Sequence, residues 1–203
     1  MEKSVIYSHS SDAEKLKIKK SEVLRYMGQR ETDKRIDTMI DSLICKCAGQ
    51  IRPKACFMLC DLEYDSEKIS LFGMKIYSKS LKKNLDGCQK AIIMVLTIGT
   101  DADRMIESSF KRNSAEGVCT DAIMTAFCEE YADILCGEIE KCIKDEFNLR
   151  PRFSPGYGDF DIGHQKDFIR ITDAVKRCGV SVTDALMLVP AKSVSAIMGL
   201  ERK

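Results

Sequence analysis

Apolar positions along the chain follow two periods, and each predicts its own kind of element. Ile36, Met39, Ile40, Leu43, Ile44 and Cys47 fall at i, i+3, i+4, i+7 spacing and mark one stripe of a helix. Thr32 is placed to cap its start and Gly49 its end. A shorter helix is expected before it, over about 19–27, with Val23 and Leu24 inward and Gly28 as the stop. Residues 55–64 and 69–77 read as two strands, separated by the turn chemistry of Asp65-Ser66-Glu67-Lys68. A short helix is expected around 80–85. Ala91-Ile92-Ile93-Met94-Val95-Leu96 is apolar at every position, as in a strand buried on both faces.

Beyond Gly99, Thr100 and Asp103 match a capping box and open a helix to about residue 111. A long helix is expected over 114–147, with Ala122, Ile123, Ala126, Phe127, Ile134, Leu135, Ile139 and Ile143 inward. Residues 148–163 break the pattern: two of the four prolines and three of the twelve glycines sit there, and the segment is too long for a tight connection. A helix over 165–178 and two short strands around Pro190-Ala191-Lys192 complete the reading. Strands and helices do not alternate as a βαβ series, so the expected class is α+β, a twisted antiparallel β-sheet with flanking helices. Residues 1–18 read as a flexible N-terminal arm and 19–203 as a single domain.

Charge narrows the function classes. Lys and Arg total 32 against 31 Asp and Glu in 203 residues, so there is no basic footprint for nucleic acid or anionic lipid. No apolar run approaches the roughly 20 residues of a membrane span. No export signal is visible at the start, and the expected location is the cytoplasm. The ten cysteines fall mostly on apolar positions and read as reduced small hydrophobes. A zinc set of Cys45, Cys47, Cys56 and Cys60 is the sharper alternative, but its spacing is uncommon for zinc, and no metal site is expected.

Chemistry concentrates in Arg152-Phe153-Ser154-Pro155-Gly156-Tyr157 and in Pro190-Ala191-Lys192-Ser193-Val194-Ser195-Ala196. The first resembles the Arg-x-x-Pro-Gly-Tyr motif of the activation domain of vitamin B12-dependent methionine synthase. The second resembles the same domain's Pro-x-x-Ser-Val-Ser-Gly segment. Gly179-Val180-Ser181-Val182-Thr183-Asp184 fits a third stretch, and the order of long helix, motif loop, helix and second segment is shared. The resemblance covers about residues 88–200 and is closer to free-standing members of the family than to the fused domain.

That resemblance implies an S-adenosylmethionine-binding reactivation subunit. In the family, cob(II)alamin formed by accidental oxidation is returned to methylcobalamin by one electron from a flavodoxin-like donor and a methyl group from S-adenosylmethionine. The cobalamin would sit on the partner, a cobalamin-dependent methionine synthase or another corrinoid protein. The chain itself lacks the cobalt-ligating Asp-x-His-x-x-Gly and would be a component of methionine synthase activity rather than a complete enzyme. The resemblance gives Arg152 to the ligand carboxylate, whose two oxygens match a planar guanidinium fork. It gives Ser154 a backbone contact, Gly156 a place in the loop, and Tyr157 a ring face and hydroxyl. It takes an acid from the long helix for the ligand ammonium. A gap-free count puts Asp133 there, with Glu129 and Glu130 within a turn. A further acid from the start of the domain has no assigned position.

The departures are Val189 where the fused form has an aromatic, Ala196 in place of Gly, and Gly158-Asp159-Phe160-Asp161 in place of Pro-Ala-Cys-Pro. Alternative functions are a non-catalytic interaction module for a corrinoid protein and a reactivation partner of another corrinoid methyltransferase. Among the remaining polar residues, Ser193 and Ser195 have strand spacing rather than that of a nucleophile elbow. His164 is expected to cap the next helix, Asp101 and Asp103 to serve a helix N-terminus, and Lys192 to be solvated or else to touch a phosphate or a carboxylate.

Overall fold

The computed structural model describes residues 5–31, 33–65 and 67–203. In chain order the elements are β1 (Ile6–Ser10), α1 (Lys20–Tyr26), α2 (Lys34–Ala48), β2 (Lys54–Asp61), β3 (Glu63–Tyr64), β4 (Ile69–Leu71), β5 (Met74–Ile76) and α3 (Lys79–Asn84). They continue with β6 (Cys88–Thr97), α4 (Thr100–Arg112), α5 (Ser114–Ile143), β7 (Phe147–Leu149), α6 (His164–Ile171), α7 (Ala174–Arg177), β8 (Ser181–Val182), β9 (Leu188–Val189) and β10 (Ser193–Arg202). The class is α+β, as expected. A five-stranded sheet runs in the order β1-β2-β6-β10-β7, and every pair in it is antiparallel. No helix among the described residues is long and apolar enough to cross a membrane.

The all-apolar run 91–96 makes β6 the middle strand, and its side chains alternate between two cores. Ile92, Met94 and Leu96 face a core built on α5, around which α1, α2 and α4 pack. Ala91, Ile93 and Val95 face a second core containing Leu81 of α3, Phe168 and Ile169 of α6, Ala174 of α7 and the β3–β5 hairpins. The sheet is therefore the middle of three layers. Each of its two long central strands is buried on both faces, as the absence of polar alternation demands.

Several expected elements differ in detail. Ile6–Ser10, expected within an arm, pairs along its length with β2. Thr32 lies outside the described residues, and Asp33 caps α2, its carboxylate accepting the Ile36 N–H at 2.8 Å. The single strand over 69–77 is a hairpin. Phe72 and Gly73 both have positive φ, 48° and 77°, the geometry of a two-residue turn that follows the sheet's twist. Ser66 lies outside the described residues, while Asp65 takes the Glu67 and Lys68 N–H groups as turn chemistry requires.

The capping box at Thr100 does not form. Gly99 is the N-cap, and the Asp103 carboxylate instead accepts the Ala191 N–H at 3.0 Å. The long helix stops at Ile143, and Phe147–Leu149 becomes an edge strand on β10. The helix over 165–178 is broken at Asp173, which sits at φ 52°, into α6 and α7. The last segment holds one full strand of ten residues, β10, preceded by the small β8–β9 pair.

Candidate functional site

The site exists because β7 is too short to cover its neighbour. It pairs with β10 only at Leu200–Arg202, so the first half of β10 has a free edge. Phe153 takes up part of it, exchanging two 2.9 Å backbone hydrogen bonds with Ile197. Pro155 then turns the chain away. The space left between this loop and Ser193-Val194-Ser195 is a cavity of about 430 Å³, within the usual range for small-molecule sites. Arg152, Ser154, Pro155 and Tyr157 line it from the loop, Glu129 from α5, and Gln165 from α6. Two segments far apart in sequence thus share one cavity.

The loop is held in shape by its own backbone. Gly156 sits at φ 96°, and its N–H donates to the Phe160 carbonyl at 2.7 Å. A Cβ there would touch Ile162 only at ordinary contact distance, so glycine is required by backbone conformation rather than by crowding. Beneath the turn, Phe160 is 1% exposed and packs against Phe153, His164 and Phe168. The carboxylate of Asp159 reaches across to α3, accepting from the Ser78 hydroxyl at 2.6 Å and from the Lys79 and Ser80 N–H groups at 2.8 and 3.0 Å. The Ser78 hydroxyl and those two N–H groups hold the Asp159 carboxyl well below the usual carboxylate range. Asp159 therefore anchors the motif loop to the N-terminus of α3.

Arg152 is the charged centre of the cavity. Its Nη2 donates to Glu129 Oε2 at 3.1 Å and to Asp133 Oδ1 at 2.8 Å. Its Nη1 is buried and finds no hydrogen-bond partner among the described residues. An arginine N–H buried without an acceptor is costly. Glu129 lines the cavity, whereas Asp133 touches Arg152 from outside the lining and borders an adjoining hollow of about 220 Å³. Glu129, Glu130, Glu22 and Tyr26 also line that hollow. Of the expected residues, Arg152, Ser154 and Tyr157 come together in the lining, Gly156 shapes the turn behind it, and Asp133 stands at its margin.

Three further polar residues differ from expectation. Lys192 takes the carboxylate alternative rather than solvent: its ammonium reaches Asp121 Oδ1 at 2.9 Å and Thr125 Oγ1 at 2.8 Å. His164 is the first residue of α6 rather than its cap, stacked on Phe160 and 3.2 Å from Asp167. Gln165 belongs to no motif of the sequence, yet it is only 7% exposed and lines the cavity. It shares the inward stripe of α6 with Phe168 and Ile169, and a polar residue on such a stripe is the signal that could have found it.

The zinc alternative loses its geometry. Cys47 belongs to the core on α5, Cys56 and Cys60 to the core across the sheet, and Cys45 is exposed. Burial pushes the Cys47 and Cys60 thiols up to about 12, as expected of small hydrophobes rather than of thiolate ligands. The Cys178 thiol, 3.7 Å from that of Cys56, is pushed up by that contact and by burial.

No family model and no curated protein matches the chain. Among solved structures it is similar to the crystal structure of the MetH reactivation domain bound to AdoHcy, with a TM-score of 0.75 over 96% of this chain and 78% of that one. The fold is that of the MetH reactivation domain. Identity between the two is 12%, so the likeness concerns the fold. The shared architecture is the antiparallel sheet with helices packed on both faces, and in this chain it brings the two motif segments to one free sheet edge.

Proposed function

We propose that this chain binds S-adenosylmethionine in the cavity beside Arg152 and serves as a reactivation subunit for a cobalamin-dependent methionine synthase. The observation that carries this reading is the meeting of Arg152 and Tyr157 with Ser193-Val194-Ser195 in one cavity. A solved protein of the same fold is bound to AdoHcy, the demethylated form of the same ligand. Sequence resemblance and fold likeness thus point to the same class of ligand.

The residues present fit such a ligand. Arg152 lines the cavity and would hold the carboxylate through its guanidinium. Glu129 and Asp133, already gathered around the guanidinium, supply negative charge for the ammonium. Glu22, on the hollow next to them, is the acid that the start of the chain offers to this region. Tyr157, 58% exposed and edge-on to Phe153, offers a ring face to a sulfonium. When bound, the ligand supplies a methyl group to a reduced cobalamin carried by the partner. The chain's own part is to fix the ligand's orientation at a site open to that partner, with the electron coming from a flavodoxin-like donor.

The test is a reactivation assay. A methionine synthase without its own activation domain is trapped in the cob(II)alamin form and supplied with S-adenosylmethionine and reduced flavodoxin. Addition of this chain is expected to restore the methylcobalamin spectrum and turnover. Equal recovery with and without the chain would sink the proposal.

A further inference from the structure

The side chain of Gln165 can be oriented without ambiguity. Its Nε2 lies 2.9 Å from the carbonyl oxygen of Leu186, which can only accept, so the nitrogen end must face it. The Ser195 hydroxyl then donates to Oε1 at 3.3 Å. Gln165 is 7% exposed and Ser195 3%, so the contact between them is shielded from bulk water. A primary amide has two N–H donors and two lone pairs on its oxygen. One donor and one lone pair are used, which leaves one of each on a residue that lines the cavity.

We infer that Gln165 reads the 6-amino edge of an adenine ring bound in this cavity. The inference rests on the proposed S-adenosylmethionine site and adds how its base is selected. Adenine presents an amino donor beside a ring-nitrogen acceptor, and a carboxamide meets that pair with its oxygen and its N–H. Hypoxanthine and guanine carry a carbonyl where adenine has its amino group. The Gln165 oxygen would then face an oxygen. A free glutamine escapes this by flipping its amide. Gln165 cannot, because a flip would set Oε1 against the Leu186 carbonyl. Selectivity therefore comes from the Leu186 carbonyl and the Ser195 hydroxyl acting together, which makes them positioning groups for Gln165. Pro155, Leu188 and Val194 in the same lining supply apolar surface for the ring. The two ends of the ligand are separated by origin: the charged groups come from α5 and the motif loop, the amide from α6 on the other face of the sheet.

The experiment compares S-adenosylhomocysteine with S-inosylhomocysteine by calorimetry on the intact protein. The adenine compound is expected to bind at least about fivefold more tightly, the low end for one bidentate amide–adenine pair. In Gln165→Met, which keeps the length and removes the amide, that ratio is expected to fall to within twofold. Equal affinity of the unmodified protein for the two compounds overturns the role of Gln165 and leaves the ligand site standing. A ratio unchanged in Gln165→Met overturns it too. Failure to bind either compound at millimolar concentration removes the ligand site itself and this inference with it. Should Gln165→Met not fold, the assigned Nε2 protons of Gln165 in the unmodified protein provide the second readout by NMR. They are expected to shift on saturation with S-adenosylhomocysteine, and unmoved resonances overturn the assignment.

Discussion

The two flanks of the cavity are built differently. On the α6 flank, Gln165, Ser195 and Phe160 are 7%, 3% and 1% exposed, and the polar groups among them are tied to one another and to backbone. On the α5 flank, Glu129 and Asp133 side chains are 42% and 70% exposed, and both lean on one guanidinium. The first flank is part of the core and comes preorganised. The second is laid on the surface, where ion pairs contribute little to stability and rearrange at little cost. The difference teaches where each property resides: stability on the α6 flank and, under the proposed function, ligand charge recognition on the α5 flank. In the proposed site a ligand carboxylate would meet exposed, rearrangeable ion pairs, whereas Phe160 is enclosed in the core.

Substitutions can break or sharpen that contrast. The largest effect is expected from Phe160→Ala, which empties a buried site packed against Phe153, His164 and Phe168. It should cost about 3–5 kcal/mol in denaturant unfolding, and a loss below 1 kcal/mol would show that the α6 flank is not core-like. Arg152→Ala should weaken S-adenosylmethionine binding by about 2–5 kcal/mol if its pair with the carboxylate is desolvated. The midpoint of thermal unfolding should hardly move, because its partners are exposed acids. Gly158→Ala comes next. At φ 56°, a Cβ there would lie 2.7 Å from Ser80 Oγ and 3.0 Å from Ser80 Cβ. A loss of about 1–3 kcal/mol in unfolding is expected, and a neutral result would mean that the loop is not clamped to α3. Tyr157→Phe keeps the ring and should change ligand affinity by less than about 1 kcal/mol; a larger loss would assign the hydroxyl a direct contact.

Asp159 adds a dependence on pH. Its carboxyl is held below the ordinary carboxylate range in the folded protein, so ionised Asp159 stabilises the fold above that range. The contribution is lost as pH falls through the depressed folded value. The stability difference between the natural protein and Asp159→Asn should therefore be constant near neutrality and shrink in strongly acid solution. Acid titration of unfolding measures it, and a difference that grows on acidification would contradict the anchor.

Much of this architecture can be read from the chain. The apolar run at 91–96 fixes a central strand buried on both faces, and the stripes at 36–47 and 122–139 fix the main helices. Arg152 and Tyr157 were legible through a resemblance to a known motif. What the sequence hid was set by tertiary context. The Phe72-Gly73 turn splits one apparent strand because residues on either side are equally apolar. Asp173 breaks one helical stripe by adopting a left-handed conformation that its neighbours do not announce. Asp103 gives its carboxylate to the Ala191 N–H, from a segment far along the chain, instead of closing a capping box. Gln165 looked like an ordinary helix residue, and Lys192 an ordinary surface lysine, until the fold set them beside Ser195 and Asp121.

The central claim is that Arg152 and the free edge of β10 form a site for S-adenosylmethionine. Calorimetric titration of the intact protein, alongside Arg152→Ala with unchanged unfolding, tests it most directly. One saturable site per chain is expected, weakened at least about thirtyfold in the variant, the equivalent of about 2 kcal/mol. Absence of binding at millimolar ligand, or equal affinity of the two proteins, would contradict it.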